Sequence, residues 1–273
     1  MITDVKCQVI ESYTASKSGR LEENEDGIYT SDSFFAVIDG ATSKTDRRLD
    51  GQTPGQVIRN IILENLPRLD TSCSCDEAIA FLQNQICSDY RAQYFPTLSA
   101  SAIIFSLHRQ EIWSIGDCQA RVDGRLIQEK KVVDQLLSEA RSLAIHAFIA
   151  SGSTEEEISM NDKGRELILP FLKLQYLFEN KQGKYGYCVF NNSSSPNSII
   201  SLARVFDVHG CNELVLASDG YPEAKSSLAE SEEYLQKTIS QDRLCYKSFP
   251  STKGLQKGNT SFDDRSYLRL SLK

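Results

Sequence analysis

The feature that most constrains the fold of this chain is an apolar run that stops abruptly at an acid. Residues 34–38 have the sequence Phe-Phe-Ala-Val-Ile, and Asp39 and Gly40 follow directly. A continuous apolar run of this length, closed by a turn dipeptide, predicts a buried β-strand that breaks into a turn. We therefore expect the carboxylate at the end of a strand and not on the polar face of a helix.

The same combination of an apolar segment and an acid recurs along the chain. A single Asp-Gly pair is usually an ordinary turn, but five acidic sites at strand ends are harder to explain in that way. If the strand ends converge, several carboxylates meet at one edge of the sheets. The five sites are Glu25 and Asp26 before the strand near Ile28, Asp39 after residues 34–38, Asp117 after 112–116, Asp219 after 214–218, and Asp263 with Asp264 before 266–272.

Carboxylates that gather in this way repel one another unless a cation neutralises them. Hard divalent cations such as Mg²⁺ and Mn²⁺ prefer carboxylate, carbonyl and water oxygens. Gly40 can bring its backbone carbonyl close to a metal because it has no side chain in the way. The chain has three histidines and 37 Asp and Glu residues, which favours an oxygen-liganded site over a histidine-rich one.

The order of the apolar patterns predicts an α+β fold, because groups of short strands alternate with pairs of helices instead of following regular βαβ winding. No proline- or glycine-rich linker divides the chain, so we expect one domain over residues 1–273. Helical spacing runs from Thr53 and Pro54 to Leu66, and over residues 76–94, 132–149, 155–178 and 228–240. Strand patterns cover residues 5–10, 34–38, 100–107, 111–115, 119–122, 126–128, 185–190, 199–208, 214–217 and 266–272.

Charge and apolar content exclude several classes of function. Thirty Lys and Arg residues against 37 Asp and Glu give a net charge of −7, which disfavours a nonspecific nucleic-acid binder or a membrane-surface binder. The longest apolar runs are far shorter than the roughly 20 residues of a membrane helix. The start of the chain has no signal-peptide pattern, and its eight cysteines form no Cys-x-x-Cys pair. We therefore expect a cytoplasmic protein with reduced thiols.

Six short motifs lie at the predicted strand ends. They are Asn-Glu-Asp at residues 24–26, Phe-Ala-Val-Ile-Asp-Gly at 35–40, Ser-Ala-Ser-Ala at 99–102, Gly-Asp-Cys-Gln-Ala at 116–120, Leu-Ala-Ser-Asp-Gly at 216–220, and Asp-Asp-Arg-Ser at 263–266. In this order they resemble the motifs of the metal-dependent protein phosphatases of type 2C. The resemblance spans residues 20–270, which is nearly the whole chain.

The resemblance implies a four-layer αββα sandwich, in which two mostly antiparallel sheets are flanked by helix pairs. It also implies a binuclear Mg²⁺ or Mn²⁺ centre that activates water to hydrolyse phosphate monoesters, typically phosphoserine and phosphothreonine in proteins. Bacterial members bind a third metal. The implied metal ligands are Asp39 as the bridge, Asp219 and Asp263 on the first metal, Glu25 and the Gly40 carbonyl on the second, and Asp117 on the third.

The implied catalytic residues are Asp39, Asp26 and Arg20. Asp26 would hydrogen-bond a metal-bound water, and Arg20 would bind the substrate phosphate. Arg20 lies six residues before Asp26, whereas the family's arginine usually lies five before it, so an ordinary solvated arginine is an equal alternative. Lys253 and Lys257, in the cationic segment before Asp263, are candidates for substrate binding, and solvated loop lysines are the alternative. The same two alternatives hold for Lys44, Arg47 and Arg48.

The chain departs from the family at several positions. Ala41 stands where members usually have histidine or methionine, so no general acid follows Asp39 and Gly40. Glu223 stands where the family has an aspartate that contributes to the third metal. Residues 132–180 correspond to the region where members vary most and carry a flap beside the active site.

These departures leave alternatives to a protein phosphatase. One is a phosphatase-like domain that binds a partner without catalysis, and another is a phosphatase of a small phosphorylated metabolite or nucleotide. No attached sensor, kinase or membrane module indicates a partner. The expected partner is therefore a phosphorylated protein or a small phosphorylated molecule, with the oligomeric state open.

Overall fold

The structure is a computed structural model that describes residues 6–42 and 46–273. In these residues eleven strands, numbered in chain order, form two sheets in which neighbouring strands run antiparallel. The first sheet has the order β1 (Cys7–Ala15), β11 (Arg265–Leu272), β10 (Glu213–Ala217), β6 (Gln119–Val122) and β7 (Arg125–Gln128). The second has the order β2 (Asp26–Thr30), β3 (Phe34–Gly40), β4 (Ser99–Ser106), β5 (Glu111–Ile115) and β9 (Arg204–Asp207), with β8 (Phe190–Asn191) beside β4.

The α-helices of the described residues lie in four stretches between the strands. They are α1 (Pro54–Asn65), α2 (Cys75–Ser88), α3 (Tyr90–Gln93), α4 (Val132–Ala150), α5 (Glu155–Met160), α6 (Lys163–Leu174), α7 (Pro196–Ile200) and α8 (Leu228–Gln241). The predicted start of α1 is confirmed, because Thr53 accepts a hydrogen bond from the Gln56 backbone N–H and Pro54 occupies the first turn.

Buried apolar side chains separate the structure into layers. One cluster fills the space between the sheets, where Phe35 and Val37 of β3 pack with Leu216 of β10 and Leu268 of β11. A second cluster joins the outer face of the second sheet to α1 and α2, and a third joins the outer face of the first sheet to α8. The predicted α+β sandwich, with two antiparallel sheets between helices, is confirmed.

Alternation along β3 explains why Asp39 faces the space between the sheets. Phe34, Ala36 and Ile38 belong to the cluster under the helices, whereas Phe35 and Val37 belong to the cluster between the sheets. Successive side chains of a strand point to opposite faces, so position 39 continues the second series. At that position the strand leaves the core, and the carboxylate lies at the mouth of the inter-sheet space.

Besides the strands predicted over 5–10 and 185–190, which are observed as β1 and the two-residue β8, three predicted elements have different bounds in the structure. The helix predicted over 76–94 is interrupted at Asp89, whose side chain accepts from the Arg91 N–H and starts α3. The helix predicted over 155–178 is divided because Asp162 caps α6. The strand predicted over 199–208 begins as α7, with Pro196 in its first turn, and becomes extended only in β9. In the first two cases a side-chain oxygen competes with the helical backbone for its own N–H groups.

All eight cysteines are free thiols. No helix within the described ranges is long and apolar enough to cross a membrane.

Candidate metal centre

Strand pairing in the second sheet sets three polar side chains in a row across the mouth of the inter-sheet space. Asp26 of β2 pairs with Asp39 of β3, and Asp39 pairs in turn with Ser101 of β4. The Ser101 hydroxyl donates to Asp117 Oδ1 at 2.6 Å, just beyond the end of β5. The sheet register therefore brings together acids that are far apart in sequence.

The first sheet contributes a further acid to the same place. Asp219 follows β10, and its carboxylate lies with those of Asp39 and Asp117 in a cluster whose oxygens are all within 4.8 Å of one another. Asp39 and Asp219 form no ion pair with a basic side chain in the residues that the structure covers. These three predicted metal ligands are thus brought together at the edge where the two sheets meet.

Two glycines allow the backbone to approach closely around this cluster. Gly116 has φ +103°, and a Cβ on it would overlap the Ser101 hydroxyl that binds Asp117. A Cβ on Gly40 would overlap the carbonyl oxygen of Gly55 in the first turn of α1. The position of Asp117 and the contact between β3 and α1 both depend on the absence of a side chain.

Asp26 is the most deeply buried of these acids. Its residue is 3 % exposed, and its Oδ2 atom has no hydrogen-bond partner. Burial raises the pKa of Asp26 well above its usual value, and the nearby charge of Asp264 adds to the shift. A buried carboxylate oxygen without a donor is costly, and a water or a cation between the sheets would supply the missing partner.

The pKa values of Asp39 and Asp219 are shifted in the same direction. Desolvation raises the pKa of Asp39 well above its usual value, and the charges of Asp26 and Asp117 raise it further. Desolvation, followed by the charges of Asp39 and Asp117, raises the pKa of Asp219. Carboxylates that suppress each other's ionisation are the arrangement that a bound cation relieves.

Asp117 carries a counter-charge from the chain itself. Lys131, the residue just before α4, places its Nζ 2.9 Å from Asp117 Oδ2 and lies over the ring of Tyr187 at 5.2 Å. Burial alone would lower the pKa of Lys131, but Asp117, Asp134 and Asp219 together raise it well above its usual value. The side expected to bind a third metal therefore holds an ammonium group.

A second group of acids lies on the other side of Asp39 and surrounds Lys17. Lys17 Nζ is 3.3 Å from Glu25 Oε2, 3.3 Å from Asp264 Oδ2 and 3.6 Å from Asp263 Oδ1. Lys253 adds an ion pair of 2.6 Å to Asp263 Oδ2. Desolvation would raise the pKa of Asp263, but Lys253 and Lys17 lower it to about 2.

Glu25 is also held from the side of α1. The Thr53 hydroxyl, at the N-cap of that helix, donates to Glu25 Oε1 at 2.7 Å. The Gly40 N–H donates to the Glu25 carbonyl at 3.2 Å, which keeps the predicted second metal site beside the end of β3. Glu25 and Gly40 are thus adjacent, as the motifs predicted.

The two groups of acids differ in how they fit divalent cations. Opposite ligands of an octahedral Mg²⁺ lie about 4.2 Å apart, so the oxygens of Asp39, Asp117 and Asp219, within 4.8 Å of one another, need only a small inward movement to hold one ion. Around Glu25 the position is different, because its Oε2 already faces the ammonium of Lys17. Asp117 Oδ2 likewise faces the ammonium of Lys131, so Asp39 and Asp219 are the acids that fit a divalent cation after that small movement, and Glu25 does not fit a second one.

An open cleft of about 890 Å³ leads to this centre. Its floor contains Asp39, Asp117, Asp219 and Asp263, and part of its wall comes from the 132–180 segment, where a flap was predicted. Basic groups reach the cleft from several sides; these are Lys130, Lys131, Arg165, Lys173 and Lys253. Acids also line the wall, namely Glu129, Asp134, Glu139 and Glu179, so an anionic group that enters the cleft meets basic groups interspersed with acids.

Among the predicted phosphate-binding residues that the structure describes, Lys253 alone lines this cleft. Arg20 is not among the lining residues; its side chain is 65 % exposed and pairs with Glu23 at 2.5 Å. Lys257 is exposed and also lies outside the lining. In the structure, Arg20 and Lys257 are therefore solvated basic side chains, which is the alternative interpretation of both.

The other residues that the sequence singled out lie as follows. Arg47 stacks on the ring of Tyr94 at 5.3 Å, and Arg48 donates to the Gly51 carbonyl. Lys44 lies outside the described residues. Ala41 lines the cleft, and none of the three histidines does. Glu223, expected near a third metal, instead pairs with Arg121 and Lys225.

Sequence reasoning missed four residues of the site. Lys17, Lys131 and Asp264 had no assigned role, and Ser101 was noted only as part of a motif. A usable signal was present at Ser101, because a serine between the apolar residues Ala100 and Ala102 of a buried strand needs a hydrogen-bond partner. A lone loop lysine has no such signal.

Comparisons with known proteins support the fold at low sequence identity. The serine/threonine phosphatase Stp1 from Staphylococcus aureus matches with a TM-score of 0.50 and 12 % identity, over 99 % of this chain and 96 % of that one. The Mycobacterium tuberculosis phosphatase PstP/Ppp matches with a TM-score of 0.48 and 15 % identity, over 98 % of this chain and 99 % of that one. A PstP catalytic domain in complex with two manganese ions matches with a TM-score of 0.47 and 15 % identity, over 98 % and 99 %.

No protein-family model and no curated protein matches the chain. At identities this low, the likeness to solved structures concerns the fold. The predicted resemblance is confirmed at that level, and the chain has the fold of the type 2C serine/threonine phosphatases, with Stp1 as the structural neighbour that carries the comparison.

Proposed function

We propose that the protein is a metal-dependent phosphatase that hydrolyses phosphate monoesters, with phosphoserine or phosphothreonine in proteins as the substrate class. The observation that supports this most is the carboxylate cluster of Asp39, Asp117 and Asp219 beside the unpartnered Asp26 Oδ2. Asp39, Asp117 and Asp219 lie where the two sheets meet, on the floor of an open cleft whose lining includes both lysines and acids. The proposed cation is Mg²⁺ or Mn²⁺, the hard ions that carboxylates favour.

In the proposed mechanism the chain holds one cation and orients the reactants around it. Asp39 and Asp219 would hold it, with Asp117 beside them. When bound, a divalent cation supplies a water of lowered pKa and neutralises phosphoryl oxygens. Asp26 Oδ2, buried and without a donor, is the acceptor available to orient the attacking water.

Phosphate binding falls to the lysines of the cleft. Lys253 and Lys131 line it and each already pairs with a site acid. They are the proposed substrate-binding groups, in place of Arg20 and Lys257. Since Ala41 offers no proton, the leaving group must take its proton from water. General acid assistance contributes roughly 10²–10⁴-fold, so aryl phosphates with good leaving groups should react faster than serine phosphate.

The test is hydrolysis of p-nitrophenyl phosphate with Mn²⁺, comparing the wild type with Asp39→Asn and Asp219→Asn. Both substitutions remove a ligand charge with little change in shape, and each should lower kcat/KM at least ~10²-fold, the scale of a lost transition-state charge contact. Asp32→Asn, at an exposed turn position, is the matched control. Phosphatase activity that is absent at every Mn²⁺ concentration, or equal in all four proteins, would overturn the proposal.

A second candidate is a phosphatase-like domain that binds a phosphorylated partner without hydrolysis. Ala41 and the lysines paired with Asp117 and Asp263 favour it, because fixed ammonium groups can hold a phosphate without a metal. Calorimetry separates the two candidates. A phosphopeptide that binds equally with EDTA and with Mn²⁺, and is never hydrolysed, supports the second. A small phosphorylated metabolite or nucleotide is the remaining substrate alternative, and a panel of such esters tests it.

A further inference from the structure

The backbone of Lys17 is held on both sides, so the direction of its side chain is set by the fold. Lys17 follows β1, and its N–H donates to Asp264 Oδ1 at 2.8 Å. Its carbonyl accepts from the Thr260 N–H at 2.8 Å. The turn closes through a bond from the Gly19 N–H to the Ser16 carbonyl, with Gly19 at φ +77°. Loops from both ends of the chain therefore fix the direction of the Lys17 side chain.

The ammonium of Lys17 is surrounded by oxygen atoms. Besides its contacts to Glu25, Asp263 and Asp264, Nζ donates to Thr42 Oγ1 at 3.1 Å. The carboxylates of Glu25 and Asp264 belong to residues that are each 4 % exposed, so water cannot neutralise them effectively. A single positive group among four oxygens is the environment that a hard cation would otherwise occupy.

Both oxygens of the Glu25 carboxylate are already engaged. Oε1 accepts from Thr53 at the N-terminus of α1, a helix of 12 residues, and Oε2 faces Lys17 at 3.3 Å. A divalent cation bound to Oε2 would lie against the ammonium and be repelled by it. Asp39 and Asp219, by contrast, have no ion pair with a basic side chain across residues 6–42 and 46–273.

We propose that the ammonium of Lys17 takes the place of the second divalent cation, so that the protein binds a single Mg²⁺ or Mn²⁺ at Asp39 and Asp219, beside the Asp117 that Ser101 and Lys131 hold. The inference rests on the proposed metal-dependent function and departs from the binuclear centre that the sequence motifs implied. Glu25 and Asp264 then serve to hold Lys17, and Lys17 is a positioning residue of the centre.

The experiment is the stoichiometry of Mn²⁺ binding to the full chain, by calorimetry and by equilibrium dialysis. The wild type should bind one Mn²⁺. Lys17→Met removes the charge while keeping a long side chain, frees Glu25, and should bind two. Lys17→Arg keeps the charge and should bind one. Lys237→Met, an exposed lysine of α8, makes the same chemical change elsewhere and should also bind one.

Two results would overturn the inference while leaving a metal-dependent enzyme in place: a wild type that binds two Mn²⁺, or a folded Lys17→Met that still binds one. A wild type that binds no Mn²⁺ at all would overturn the proposed function as well, so the two failures are distinguishable.

Removal of Lys17 leaves Glu25 and Asp264 without their counter-charge, and that variant can fail to fold. The double variant Lys17→Met with Asp264→Asn removes one of these two charges and keeps Glu25 and Asp39. It should bind two Mn²⁺, and adding Glu25→Gln to it should return the stoichiometry to one. A double variant that binds one Mn²⁺ contradicts the inference.

Discussion

At the scale of single residues, Asp26 should contribute to catalysis and at the same time lower the stability of the fold. Its buried Oδ2 has no donor in the protein, so the charge costs folding energy and serves the reaction. Asp26→Asn should therefore lower kcat for p-nitrophenyl phosphate by roughly 10²–10⁴-fold, the contribution of a positioned acid or base. The same substitution should leave the metal-free protein equally stable or more stable.

These two opposite effects are measured by steady-state kinetics with Mn²⁺ and by urea unfolding with EDTA. Asp32→Asn, exposed and remote from the centre, is the reference for a neutral charge change. If Asp26→Asn loses stability in proportion to activity, Asp26 has only a structural role, and the assignment to the attacking water is wrong.

At the scale of single residues, the strand-end acids were predictable and their counter-charges were not. Asp39, Asp117 and Asp219 follow apolar runs, and the pattern that places them is local. Lys17 reaches Glu25 and Asp264 only because the loop after β1 bonds to the loop before β11, 243 residues away at Thr260. No local pattern carries that information.

At the scale of elements, the turn after β5 determines where Asp117 lies. Gly116 has φ +103°, and a methyl group there would overlap Ser101. Gly116→Ala should destabilise the protein by about 2–4 kcal/mol, the sum of a strained left-handed residue and an overpacked contact. Mn²⁺ affinity should fall as well, because Ser101 would no longer hold Asp117.

Gly124→Ala is the matched control for this substitution. Gly124 also has positive φ, at +83°, but no atom lies within 4 Å of a Cβ built there. It should cost only about 1 kcal/mol, the backbone strain alone, without a change in Mn²⁺ affinity. Urea unfolding measures the stability of both variants, and calorimetry measures their Mn²⁺ affinity. Equal losses of stability and of affinity in the two would show that the overlap with Ser101 has no effect.

Elements with strong periodicity were predicted close to their observed bounds, and interrupted ones were not. β3, β4, β11, α1 and α8 each have a clear apolar face and a clear end. The helical pattern over 155–178 continues through Asp162, but that side chain caps α6 and also binds Arg141, which is fully buried. Apolar spacing does not reveal such a tertiary partner.

At the scale of the whole molecule, the gathered carboxylates should make stability depend on pH. The pKa values of Asp26, Asp39 and Asp219 are all raised in the folded protein. The folded state therefore binds more protons than the unfolded state between the usual pKa and the raised ones, and the free energy of unfolding falls as pH increases through that range. The metal-free protein should be less stable at about pH 8 than at about pH 5.5, by roughly 1.4 kcal/mol per pH unit for each extra proton.

Urea unfolding in EDTA at the two pH values measures this effect. Saturating Mn²⁺ should reverse the trend, because a bound cation requires deprotonated ligands and stabilises the folded state by mass action. The lowered pKa of Asp263, about 2, acts only at more acidic pH and does not offset it. Stability that rises with pH without metal would contradict the account of the cluster.

The layered architecture was predictable because six weak motifs in one order cover the chain, and the strand-end pattern agrees with them. The number of cations was not, because it depends on which charges the chain supplies internally. The net charge of −7 does not reveal which basic residues pair with the acidic centre. In the structure, Lys17, Lys131 and Lys253 neutralise part of that centre.

The most direct test of the central claim is phosphate release from p-nitrophenyl phosphate by the wild type, titrated with Mn²⁺ and then with EDTA. The account predicts activity that rises with Mn²⁺, is abolished by EDTA, and is lost in Asp39→Asn and Asp219→Asn but kept in Asp32→Asn. Activity that is independent of Mn²⁺, or no activity at any concentration of the metal, would contradict it.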